Sequence, residues 1–205
     1  MYVPKHFAET DRTHLLAVMR THAFATIVSS VDGEPFATHA PVRVAVGDDD
    51  AVVIEGHVAR ANPHATSLDG SRVLVIFHGP HTYVSPTLYR SPGRVPTWNY
   101  IAVHAAGRAR AVDAPADKQA ILTRLIDEHE PSFNATFDGF DARPRDALLA
   151  AITGFEIVVD RLEGKFKLGQ HRLADDAPAM RAVHEGGDDD RREIALWMKR
   201  LGYWT

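Results

Sequence analysis

Four short segments hold the side chains best suited to chemistry. Gly56-His57-Val58-Ala59-Arg60-Ala61-Asn62-Pro63 leaves a strand-like run and enters a helix start. Asn62 is a favoured N-cap, and Pro63 suits the first helical position. A helix N-terminus offers free N–H groups and partial positive charge, and a guanidinium fork matches phosphate oxygens. Arg60, just outside that terminus, is therefore a candidate phosphate contact. The same residues also describe an ordinary strand-to-helix turn with a solvent-facing arginine.

The second segment is His81-Thr82-Tyr83-Val84-Ser85-Pro86. Alternation along an extended chain puts His81, Tyr83 and Ser85 on one face. That face either lines a polar heterocycle or meets solvent. The third is Val95-Pro96-Thr97-Trp98-Asn99-Tyr100. Its aromatics read as core residues, with Thr97 and Asn99 at a loop or strand edge. The fourth is Lys165-Phe166-Lys167-Leu168-Gly169-Gln170-His171-Arg172. It is either a solvated charge run or a contact for an anion or ring carbonyl.

Proton transfer is open to the chain, because imidazoles titrate near neutral pH and the sequence has twelve histidines. His81, Tyr83 and His171 are the candidate donors and acceptors. No nucleophile–base pair stands out, so hydrolase chemistry is not expected. Metal chelation is disfavoured: His78 and His81, three apart on a strand, point to opposite faces, even with His57, His64 and His104 to join them.

The elements that must position these groups follow from periodicity. A helix is expected over about 10–21, with Leu15, Leu16, Val18 and Met19 as its apolar stripe. Strands are expected over 23–30, 36–46 and 51–55, joined by Asp32-Gly33 and by Gly47-Asp48-Asp49-Asp50. A short helix starts near Pro63, and 72–78 reads as a buried strand. Residues 79–99 read as a long loop or irregular strand, and 100–112 as a strand with Gly107 as a bend or bulge. Helices over 116–130 and about 144–152 precede a strand over 155–162. Ile194, Trp197, Met198 and Leu201 give a C-terminal helix, about 190–201, a clean amphipathic face. Six or so strands joined by short turns predict a mainly β protein with peripheral helices, an α+β chain built on a small antiparallel barrel.

Composition narrows the classes. The 205 residues suit one domain spanning 1–205, and 24% charged residues is an ordinary globular value. The absence of cysteine excludes disulfides and thiolate chemistry. No window approaches the roughly 18–20 apolar residues of a membrane span, and the first residues form no signal-like run, so a cytoplasmic protein is expected. A net charge of −4 gives no long-range attraction to DNA.

Taken together, the segments resemble the PaiB family of FMN-binding negative transcriptional regulators. Besides the four segments above, the resemblance rests on Met1-Tyr2-Val3-Pro4-Lys5-His6-Phe7 and Thr38-His39-Ala40-Pro41, and it covers nearly the whole chain in order. It implies an antiparallel split β-barrel like that of pyridoxamine phosphate oxidase, a homodimer, and FMN bound between protomers. By the resemblance, Arg60 and Asn62 match the phosphate-proximal turn. Thr38, His39, Gly56 and His57 match positions beside the ribityl chain and ring. Tyr83, Ser85, Thr97, Trp98 and Asn99 match the segment near the ring. Lys167, Gln170 and Arg172 match the late basic motif. That motif usually reads Lys-Leu-Ser-Gln-Asn-Arg. Here Gly169 and His171 replace the serine and asparagine, which removes a hydroxyl and adds a titratable group.

Three functions compete at this stage. The family's name implies a regulator or flavin sensor, although no helix-turn-helix and no basic face support DNA as a partner. The barrel class implies an FMN-dependent oxidoreductase, in which protein groups orient substrate and tune the flavin. A haem-binding or haem-degrading split barrel, with His171 as axial ligand, is the third.

Overall fold

The computed structural model describes residues 1–89, 92–170 and 173–204. Its elements are β1 (Ala8–Glu9), α1 (Arg12–Thr21), β2 (Phe24–Val31), β3 (Glu34–Val46), β4 (Val52–Ala59), α2 (His64–Ser67), β5 (Arg72–Val84) and β6 (Thr97–Val112). They continue with α3 (Pro115–His129), α4 (Asn134–Asp138), α5 (Ala142–Ala150), β7 (Ile152–Lys167), α6 (Leu173–Glu185) and α7 (Asp189–Arg200). The strands form one sheet in the order β1-β7-β4-β3-β2-β5-β6, and a further β6–β7 pairing closes all but β1 into a ring. The chain divides into two compact units. Unit 1 is Met1–Leu15, His78–Val103 and Glu163–Thr205; unit 2 is Leu16–Phe77 and His104–Leu162.

Unit 2 holds the barrel. The β2–β3 hairpin turns on Asp32 and Gly33, both at positive φ (51° and 85°), as the Asp-Gly pair predicts. β3 runs antiparallel to β4, and β4 to β7. Alternate residues of β2, Ala25, Ile27 and Ser29, are buried while their neighbours are more open. Val42, Val44, Ile54, Val75, Phe77, Ala105, Phe155 and Ile157 complete an apolar core, each of the larger ones contributing about 1.5–3 kcal/mol by burial.

The ring closes where β6 meets β7. A Cβ placed on Gly107 would stand 2.2 Å from the Val158 carbonyl oxygen. Only a residue without a side chain lets the two backbones come this close. The bend or bulge expected at Gly107 is therefore a close backbone approach.

α3 is tied to the barrel by a charge cluster. Glu55 on β4 is buried, and its carboxylate accepts from Arg124 (2.7 and 3.0 Å) and from Arg43 (2.8 Å). Burial alone raises this acid, but the hydrogen bonds and charges of Arg124 and Arg43 outweigh it and hold it below the usual carboxylate range.

Unit 1 packs its helices by aromatic contacts. Trp197 of α7 meets the Phe166 ring edge-to-face at 5.2 Å and the His14 ring at 5.7 Å. Ile194, Trp197 and Met198 are buried, as the amphipathic spacing predicts. Asp188 caps α7 by accepting from the Arg191 N–H at 3.0 Å, and acidic Asp189 and Asp190 fill its first turn.

Three expectations change. The strand expected to stop at His78 runs on to Val84, because alternation survives Pro80: Thr82 and Val84 are buried, His81 and Tyr83 exposed. The strand expected over 155–162 runs from Ile152 to Lys167 and so carries the late lysines. α6 was not read from sequence, since Pro178 lies inside it.

Gly107→Ala is expected to lower stability by about 2 kcal/mol or more, through overpacking of the β6–β7 seam. The urea midpoint measures it. An unchanged midpoint would mean that the seam has room for a methyl group.

Candidate functional site

The candidate residues fall into two sets, one in each unit. In unit 2, β3, β4 and the turn after β4 hold Thr38, His39, Gly56, His57, Arg60 and Asn62. Asn62 donates from Nδ2 to Thr38 Oγ1 at 3.0 Å and accepts the His64 backbone N–H at Oδ1, 2.9 Å. The sequence reading makes Asn62 the cap of a helix, and its oxygen does cap the next turn. That turn is the four-residue α2, which has no extended dipole to offer an anion.

Arg60 is exposed and reaches sideways. Its Nη2 donates to Asp113 at 2.7 Å and to the Ile152 carbonyl at 2.9 Å. His39 is exposed, with Nδ1 3.0 Å from Thr26 Oγ1 and its ring stacked near Phe24. His57 is half-buried. Burial pulls its pKa below the ordinary histidine value, and its buried Nδ1 has no hydrogen-bond partner among the described residues. Gly56 has a packing role: a Cβ there would lie 2.6 Å from the Phe155 ring.

Sequence reasoning missed one contact here. Ser29 Oγ lies 3.0 Å from His64 Nε2, with both residues buried. The serine sits on β2 and the histidine on α2, so the pair braces the turn that carries Asn62. The imidazole is fully buried.

Unit 1 holds the second set around a cavity of about 400 Å³, lined by His6, Phe7, Tyr89, Val95, Thr97, Asn99, Lys167 and Gly169. The Lys167 ammonium donates to Thr97 Oγ1 at 2.5 Å and to the Trp98 carbonyl at 2.6 Å. Two of the four sequence segments thus converge through β6 and β7. Gly169 takes φ +75°, a left-handed conformation that glycine adopts without cost. Gln170 spends its amide on the chain itself, donating to the His6 and Phe166 carbonyls (3.0 and 2.7 Å) and accepting from the Leu168 N–H.

Trp98, His81 and Tyr83 form an exposed aromatic cluster, with ring centroids 6.3 and 6.0 Å from Trp98. Ser85 caps a 3-10 turn by accepting from the Thr87 N–H. His171 and Arg172 lie outside the described residues. The cavity residues not named as candidates from sequence are His6, Phe7, Tyr89 and Val95; His6 and Phe7 belong to the opening motif, Tyr89 to the run over 79–99 and Val95 to the third segment.

Beneath the cavity, Asn99 is buried and its Nδ2 lies 3.4 Å from His184 Nε2 on α6. Trp204 stacks on the His184 ring at 5.9 Å. Burial, with some help from the Arg191 cation, pulls the His184 pKa down to about 4. The imidazole is therefore neutral at physiological pH, free to accept from Asn99.

His184 couples stability to pH. Its pKa is 6.5 when unshifted and about 4 in the fold. Between those values the unfolded chain takes up a proton that the folded chain refuses. Stability is complete above 6.5 and falls as pH drops to 4, by about 3 kcal/mol in total. His57 and His64, also shifted down by burial, act in the same direction. In thermal melts from pH 7 to pH 4, His184→Leu is expected to flatten the decline in Tm. An undiminished decline would exclude His184 as its main source.

The chain matches a family model described as "Putative FMN-binding domain" over residues 1–161. It is 34% identical over 175 residues to the protease synthase and sporulation protein PAI 2 of Bacillus subtilis, covering 84% of this chain and 83% of that protein. Among solved structures, a flavocytochrome from Azotobacter vinelandii aligns with a TM-score of 0.64 at 18% identity, over 80% of this chain and 72% of that one. A FAD- and heme-binding protein from Mycobacterium smegmatis aligns at 0.62 and 21%, over 78% and 73%. These two likenesses establish the split-barrel fold. The match over residues 1–161 and the identity to the Bacillus subtilis protein place the chain in the PaiB family of FMN-binding split-barrel proteins, with a flavin as its cofactor.

Proposed function

We propose that the protein is an FMN-dependent oxidoreductase acting on a small molecule, and that it works as a homodimer. The observation that carries this reading is the unit 1 cavity. It brings together a fixed ammonium, a buried amide and aromatic walls, groups that suit a small-molecule ligand.

The unit 2 residues suit a flavin nucleotide. Arg60 supplies the cation for a phosphate, by exchanging its contact with Asp113 for the ligand. Thr38, His39 and Asn62 supply hydrogen-bonding groups. His57 Nδ1, buried without a partner among the described residues, gains one when a ligand group meets it. Bound FMN supplies the hydride and electron transfer. The protein's part is to bind, orient and exclude water. In unit 1, the role of proton donor or acceptor falls to His81, a reading supported by its Nδ1 lying 3.9 Å from an Asp190 carboxylate oxygen.

A second reading, a regulatory protein, is favoured by the name of the Bacillus subtilis relative, a sporulation protein. Against it stands a net charge of −4. Anaerobic addition of reduced nicotinamide or another small reductant decides between them. Bleaching of the flavin supports the oxidoreductase. A flavin that stays oxidised, together with saturable, sequence-specific DNA binding at physiological salt, supports the regulator.

Arg60→Ala is expected to weaken FMN binding at least tenfold, about 1.4 kcal/mol. Flavin fluorescence titration measures it, and unchanged affinity would remove Arg60 from the phosphate site.

A further inference from the structure

We infer that His184 is a positioning residue for the flavin: it turns the Asn99 amide so that the carbonyl oxygen, and not the amide nitrogen, faces the unit 1 cavity and accepts the N–H of the oxidised flavin ring, at N3. The inference rests on the ring-side place that the family resemblance gives Asn99.

An asparagine amide is nearly symmetric in shape and opposite in chemistry at its two ends. A partner must therefore decide which end meets a ligand. Asn99 on β6 is 1% exposed and lines the cavity. Among the described residues its side chain has one hydrogen-bond partner, His184 Nε2, 3.4 Å from Nδ2. That contact spends the amide donor on the protein and leaves Oδ1 for the cavity. A Cβ placed on Gly169, another lining residue, would stand 3.8 Å from this oxygen.

His184 sets this orientation only as an acceptor. A neutral imidazole has one donor nitrogen and one acceptor nitrogen. With a proton on Nε2, the amide would turn over and the cavity would meet a donor instead. Burial in α6 is the main cause that keeps the ring uncharged. The Arg191 cation on α7 adds to it and is itself fixed, donating to Thr82 Oγ1 at 3.0 Å; Asp188 acts more weakly in the other direction. Trp204, also buried, stacks on the imidazole at 5.9 Å with the planes 24° apart, which holds the ring's angle.

The oxidised flavin ring offers acceptors at its carbonyl oxygens and at ring nitrogens, but a donor at N3 alone. A buried acceptor held in one orientation selects that N–H. A ring without it leaves Oδ1 buried and unpaired, which costs affinity.

The test is fluorescence titration of flavin-free protein with FMN and with 3-methyl-FMN, in which a methyl group replaces the N3 hydrogen. FMN is expected to bind about tenfold more tightly or better. Asn99→Ala and His184→Leu are expected to lose most of that preference. His184→Gln, whose amide oxygen can accept from Asn99, is expected to keep it. A merely structural His184 would lower affinity for both flavins alike and leave their ratio unmoved. Equal affinity for the two flavins in the wild-type protein would overturn the inference, even if the variants failed to fold. So would a preference that survives in folded His184→Leu protein. If Asn99→Ala alone loses the preference, the ring-side place of Asn99 stands and the role of His184 falls. If Asn99→Ala keeps it, the place of Asn99 falls and the inference with it. A wild-type protein that binds neither flavin removes the flavin reading itself.

Discussion

β6 passes β7 at a point with room for backbone alone. At Gly107 any side chain would collide with the Val158 carbonyl, and this is the crossing that turns an open sheet into a ring. Closure removes the two sheet edges that would otherwise need cover. It also fixes β3 and β4 side by side, with Val42 opposite Gly56 and Val44 opposite Ile54. The Thr38–Asn62 hydrogen bond then joins β3 to the turn that follows β4. A one-residue slip would turn every side chain of these strands to the opposite face.

Much of the barrel was legible in the sequence because its signals are local. Asp32-Gly33 demands positive φ at both positions, and the structure has it. The spacing of Ile194, Trp197 and Met198 marks a helix face, and those residues are buried. What was not legible depends on distant partners. The run after Pro80 read as a long loop or irregular strand, and its alternation set His81 and Tyr83 apart from Thr82 and Val84 without saying which face is buried. α6 was hidden by Pro178. Gly107 was noticed as unusual, but the reason, a carbonyl 51 positions later, lies outside any local window.

The candidate site shows the same divide. Motif reading found Lys167, Thr97 and Asn99 separately, and only the fold shows Lys167 bonded to Thr97. It also marked Arg60 without its ion pair to Asp113, and Gln170 without the three hydrogen bonds that make it a brace of its own chain. His184 carried no motif at all. Its role beneath Asn99 comes from α6, beyond the residues matched by the family model. Local propensity therefore located the elements, whereas the chemistry of each side chain was set by contacts across long stretches of sequence.

The central claim is that this barrel holds FMN. Its most direct test is an absorbance spectrum of the purified protein, incubated with FMN and then separated from free flavin by gel filtration. The account predicts flavin bands that travel with the protein in a fixed ratio to the chain. A colourless protein fraction, with all the flavin in the small-molecule volume, would contradict it.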